Sequence, residues 1–123
     1  MARFRLSRLA EADLSQILAI SEERWGTEGS DRYRARIAAA IRKVAADPYG
    51  PTTRDRATLS SGVRSFHVRH ARSGSNGPGA KVKRPVHVLY YRVVTPDLIE
   101  IVRVLHERMD PSRHLGPQFE KDD

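Results

Sequence analysis

Between Val86 and Leu105 the chain has few options other than a β-hairpin. The runs Val86-His87-Val88-Leu89-Tyr90-Tyr91-Arg92-Val93-Val94 and Leu98-Ile99-Glu100-Ile101-Val102-Arg103-Val104-Leu105 are dense in β-branched and aromatic residues. Thr95-Pro96-Asp97 between them supplies a fixed φ and a side-chain acceptor, the ingredients of a turn. Apolar residues fill adjacent as well as alternate positions, so the hairpin is expected at the centre of its sheet and largely covered. Arg92 and Arg103 interrupt this background. With Val94 opposite Ile99, Arg92 faces Ile101, Arg103 faces Tyr90, and alternation puts both arginines on one side. The other side then holds Leu89, Tyr91, Val93, Val102 and Val104, an apolar surface for helices. A slip of one residue would separate the arginines.

The rest of the chain supplies those helices. Arg3 to Leu6 alternates as a short strand, and Ser7 can cap a helix in which Ala10, Leu14, Ile17, Leu18, Ser21 and Trp25 recur at helical spacing. Gly26 stands where a glycine C-cap belongs. After the connector Thr27-Glu28-Gly29-Ser30, a second helix is predicted from about Asp31 to Ala46, with the stripe Tyr33, Ile37, Ala40, Ile41 and Val44, and Asp47-Pro48 ends it. Two helices joined so briefly make an antiparallel hairpin. Residues 49–62 read as a loop and Val63 to His70 as a strand carrying Arg64, Phe66 and Val68 on one side. The stretch 71–85 is glycine-rich and polar with a basic end, which predicts a long mobile loop.

The order β, α, α, β, β, β predicts an α+β fold: an N-terminal short strand, a helical hairpin, then a three-stranded antiparallel sheet. The domain is expected over residues 1–110, with its long loop at 71–85 and a C-terminal tail at 111–123 forming at most one helical turn. A chain of 123 residues can bury a core without a metal or disulfide, and with no cysteine, no signal-like apolar block and no membrane-length segment it reads as cytoplasmic. Lys and Arg number 22 against 15 Asp and Glu, a net charge of +7 that favours a polyanion or an acidic protein as partner.

The residues offer little to a cofactor or a metal, and none of either is expected. His67 and His70 are the one close histidine pair, and on a strand a spacing of three sends them to opposite faces. The glycines at 74, 77 and 79 precede no helix that could receive a phosphate, and no nucleophile-elbow sequence appears. What remains is a cationic set. Arg64, Arg92 and Arg103 are expected on an uncovered sheet face, with His106 and Arg108 just past the last strand. Arginines stabilise a developing phosphorane and a histidine titrates near neutrality, so Arg64, Arg92, Arg103 and His106 could in principle cleave RNA through its own 2′-hydroxyl. The alternative is that the arginines pair with acidic side chains or a partner's carboxylates.

The chain resembles the ParE branch of the ParE/RelE toxins of bacterial type II toxin-antitoxin systems. The most specific part is Leu89-Tyr90-Tyr91-Arg92-Val93 followed by Ile99 to Asp110, with its Arg103-Val104-Leu105-His106 segment. Ala12-Asp13-Leu14, Arg24-Trp25-Gly26, Asp47-Pro48 and Gly62-Val63-Arg64 support it in order. The resemblance implies a toxin that binds DNA gyrase and blocks replication without catalysis of its own. It also implies a ParD-like antitoxin that wraps it in a heteromeric complex repressing its own operon. By position, Arg64, Arg92, Arg103, His106 and Arg108 are then the residues for target or antitoxin contact. RelE-like relatives instead cut messenger RNA on the ribosome, the alternative reading, which His114 keeps open although no tyrosine follows Tyr91. A third, blander alternative is a basic module that binds nucleic acid directly.

Overall fold

The computed structural model describes residues 3–71 and 84–115. Most of the expected loop at 71–85 and the end of the tail, 116–123, lie outside the described residues. Strand β1 (Arg3–Leu6) leads into the helix α1 (Arg8–Ala46), whose first turn is closed by Ser7, the Oγ of which accepts the Ala10 N–H at 3.0 Å. Helix α1 is helical throughout except at Gly26, where φ is 74° and ψ is −177°. That backbone geometry is open to glycine almost alone. The chain doubles back there, and the Ser30 hydroxyl donates to the Leu18 carbonyl at 3.1 Å across the two arms. The helical hairpin is therefore present, but the expected connector is not extended: residues 27–30 are already helical, and the reversal is confined to Gly26. Gly29 lets the arms meet, since a Cβ there would sit 2.3 Å from the Cβ of Trp25. Trp25 itself is exposed rather than part of the apolar stripe.

Nothing lies within 4 Å of a Cβ added at Gly26, so Gly26→Ala tests the backbone alone. We expect it to cost about 2 kcal/mol in urea unfolding. A loss under about 0.5 kcal/mol, the size of a neutral surface change, would mean that the reversal does not need glycine.

Among the described residues the sheet has five strands, in the order β1-β5-β4-β3-β2. Strand β2 (Arg54–Asp55) lies inside the stretch expected as loop, too short and polar to be read from the sequence. Strand β3 (Val63–His67) pairs antiparallel with it and with β4 (His87–Thr95), which pairs antiparallel with β5 (Leu98–His106), and β1 runs parallel to β5. Beyond β3 and β5 come single 3-10 turns, Val68–His70 and Pro111–Arg113.

Helix α1 covers one face of the sheet. Tyr33, Ile37, Ala40, Ile41 and Val44, the stripe predicted for the second arm, are all buried against Phe66, Leu89, Tyr91, Ile99, Ile101 and Val104. The opposite face is not bare. Val63, Tyr90, Val102, Leu105 and Leu115 form a second buried cluster, with Leu59 packed on it. Val102 thus lies on the side opposite to the one expected, and a β-bulge explains it. Tyr90 pairs with Arg103 but Tyr91 with Ile101, so Val102 is the extra residue; a second irregularity before the turn leaves out Val94. Among the described residues no helix is long and apolar enough to cross a membrane.

Candidate functional site

The motif arginines are rooted in the sheet and its edges, and each is held by a different group. Between the two bulges the register runs one residue away from the simple hairpin, so Arg92 lies opposite Glu100 instead of Ile101. Glu100 is also the register partner of Arg5 on β1, and its carboxylate accepts from Arg92 at 3.0 Å and from Arg5 at 3.1 Å. Arg103 does lie opposite Tyr90, as expected, yet Asp13 of α1 captures its guanidinium. Both Asp13 oxygens accept from it at 2.9 Å, and Oδ2 also accepts the Val104 N–H, so one carboxylate ties α1 to β5 where β1 has ended. Arg64 pairs with Tyr91 and so lies on the helix side of the sheet. It donates to the Pro48 carbonyl and the Thr53 hydroxyl, and its guanidinium stands 5.0 Å over the Tyr49 ring. The Tyr91 hydroxyl donates to the same Pro48 carbonyl.

The expected open face of three arginines therefore does not form. By the observed register Arg92 and Arg103 do share the face away from α1, where Glu100 and Asp13 engage them, whereas Arg64, opposite Tyr91, falls on the helix side. His106 and Arg108 lie at the far end of β5. The His106 ring packs edge-on to His87 at 5.6 Å between centroids, and its Nδ1 accepts the Arg108 N–H. The Arg108 side chain is exposed.

His87 is the most perturbed group in this region. The Tyr33 hydroxyl accepts the Val86 N–H and lies 2.6 Å from His87 Nδ1, an arrangement that suits a neutral imidazole with Nδ1 accepting the tyrosine proton. Burial, helped by the neighbouring His106, lowers the His87 pKa to about 4.

Two recesses flank this frame, and sequence reasoning missed both. The first is an apolar groove of about 770 Å³ between the two arms of α1 and β1, lined by Phe4, Leu6, Leu14, Leu18, Ile37 and Ile41 among others. The second is a basic cleft of about 320 Å³ on the other face of the sheet, lined by Arg54, Arg56, His67, Arg69, His70 and Tyr90, with Glu107 at its side. Arg54 lies on β2 and Arg56 just past its end, and a strand of two polar residues leaves no periodic signal that would mark them. His67 and His70 do not diverge as a strand would require. The strand ends at His67, and the 3-10 turn brings the rings to 6.5 Å. No third histidine or carboxylate completes a metal site with them among the described residues.

The match to known proteins covers the whole of this frame. The model of the ParE toxin of the type II toxin-antitoxin system parDE matches residues 4–111. A Toxin ParE1 of Caulobacter vibrioides is 38% identical over 116 residues, 94% of this chain and 100% of that protein. A Toxin ParE1 of Mycobacterium tuberculosis is 32% identical over 115 residues, 93% of this chain and 98% of that protein. Among solved structures, a chain of a chromosomal ParDE toxin-antitoxin system from P. aeruginosa superposes with a TM-score of 0.61 at 19% identity, covering 86% of this chain and 96% of that one, which shows a shared fold.

Proposed function

The chain belongs to the ParE toxins of type II toxin-antitoxin systems, and from that premise we propose that it inhibits DNA gyrase by binding and is neutralised in the cytoplasm by a ParD-like antitoxin. The observation that carries binding over catalysis is that partners within the fold already engage each motif arginine. Arg64, Arg92 and Arg103 are engaged by Pro48 and Thr53, by Glu100 and by Asp13, with Arg64 on the helix side of the sheet and the other two on the opposite side. A phosphoryl-cleaving site needs such groups converging on one atom. Their role is to hold the frame, and target or antitoxin contact falls to the end of β5, where His106 and the exposed Arg108 stand, and to the segment that follows. The apolar groove between the helical arms suits an amphipathic antitoxin segment, whose burial there would supply affinity while acidic residues on it meet the basic surface.

Expression in a bacterial host tests the reading. Thymidine incorporation should stop well before amino-acid incorporation, and growth should return when the antitoxin is induced. Codon-positioned breaks in translated RNA, with replication continuing, would overturn it in favour of a ribosome-dependent nuclease.

A further inference from the structure

The basic cleft beside β2 is not absorbed by that function. We propose that it binds the phosphodiester backbone of a nucleic acid, with Arg54, Arg56 and Arg69 as the principal donors. Among the described residues none of these three guanidinium groups has a carboxylate within ion-pair distance, in contrast to Arg92 and Arg103. The one acid in sequence between the first two, Asp55, turns its carboxylate to the Ala57 N–H at 2.8 Å and so closes a local turn. Glu107, on the rim, is already matched: His67 Nε2 donates to it at 2.7 Å and Arg84 approaches to 3.7 Å. An entering anion therefore meets surplus positive charge. The His70 pKa is lowered by burial first and, after that, by the nearby Arg69, His67, Lys43 and Arg54.

The cleft is also built rather than fortuitous. Arg54 is the register partner of Ser65, one strand from Tyr90, which fixes it on the cleft side of the sheet. The 3-10 turn bearing Arg69 is tied to α1 by Arg36, which donates to the Val68 and Arg69 carbonyls, and by Lys43, which donates to the His70 carbonyl. Three forked donors around about 320 Å³ have room for a phosphate and its sugar. A net charge of +7 adds the counterion release that a nucleic acid, unlike a short acidic peptide, provides.

The test uses the full-length purified protein and fluorescein-labelled single-stranded DNA, single-stranded RNA, duplex DNA and a polyglutamate peptide, titrated by anisotropy from 50 to 200 mM salt. The triple variant Arg54→Ala, Arg56→Ala, Arg69→Ala should bind the preferred nucleic acid about tenfold or more weakly at 100 mM salt, with a log-log salt slope shallower by roughly 2. The exposed triple Arg3→Ala, Arg8→Ala, Arg24→Ala should change affinity by less than about threefold, since its charges lie away from the cleft. Preference for DNA or for RNA identifies the source of the phosphate, and either supports the proposal. Equal losses from both triples, an unchanged slope in the cleft variant, or tighter binding of polyglutamate would overturn it. Circular dichroism establishes that the variant is folded; if it is not, Arg54→Gln with Arg69→Gln takes its place, with a shortfall of about fivefold expected and no shortfall contradicting the site. Gyrase takes no part in this assay, so its outcome is independent of the proposed target.

Discussion

Asp13→Ala is expected to destabilise the protein by about 2 to 4 kcal/mol, lowering the thermal midpoint by roughly 10 °C. The aspartate and Arg103 are each only 14% exposed, so the change leaves a guanidinium nearly buried without a counter-charge. It also leaves the Val104 N–H without its acceptor, a further cost of about 1 kcal/mol or more within that range. Asp13→Asn separates the two effects, because the amide oxygen can still accept from Val104 while the charge is gone; it should lose about half as much. A double-mutant cycle with Arg103→Ala should return a coupling of about 1 to 3 kcal/mol. Losses below about 1 kcal/mol for Asp13→Ala would place the pair among ordinary surface ion pairs and remove the claim that it joins α1 to the sheet.

The second large effect concerns acid. The neutral His87 is favoured in the folded protein, with its pKa lowered to about 4 against an ordinary value of 6.5. As pH falls below 6.5 the unfolded chain takes up the proton first, so unfolding becomes easier; the loss continues down to about 4, below which both states are protonated. Allowing for the ring's partial exposure, the difference between pH 7 and pH 4 is roughly 2 to 3 kcal/mol. His70, lowered in the same direction, and the carboxylates also contribute to the raw profile. The contribution of His87 is therefore read as the difference between wild type and His87→Gln, whose stability should fall less steeply over that window. Parallel urea-denaturation profiles for the two proteins would contradict it.

The contrast between what the sequence disclosed and what it hid follows from the range of the interactions involved. The hairpin, the two helical arms and the reversal at Gly26 are written in local patterns: period-two and helical spacing, a Pro-Asp turn and a glycine at the cap position. The buried stripe from Tyr33 to Val44 was legible for the same reason. The bulge at Val102 was not, because valine fits a paired or an unpaired strand position equally well, and nothing local marks the extra residue. That bulge and the irregularity at Val94 together decided which residue Arg92 would meet. The partner of Arg103 was hidden for a different reason, since Asp13 lies 90 residues away on an element whose approach to the β5 edge depends on where β1 stops. The cleft was missed because β2 is only two polar residues long and the turn at Val68–His70 has no apolar signature. Cations separated in sequence acquire a common site there through pairing geometry alone.

Incubation of purified gyrase with plasmid, ATP and the wild-type protein gives the most direct reading of the central claim, that this arginine-braced frame acts by occupying a topoisomerase rather than by cutting RNA. Supercoiling should cease and protein-linked linear plasmid should accumulate after denaturation, with both effects abolished by prior addition of the antitoxin. Undiminished supercoiling with no linear product, from protein that still binds its antitoxin, would contradict it.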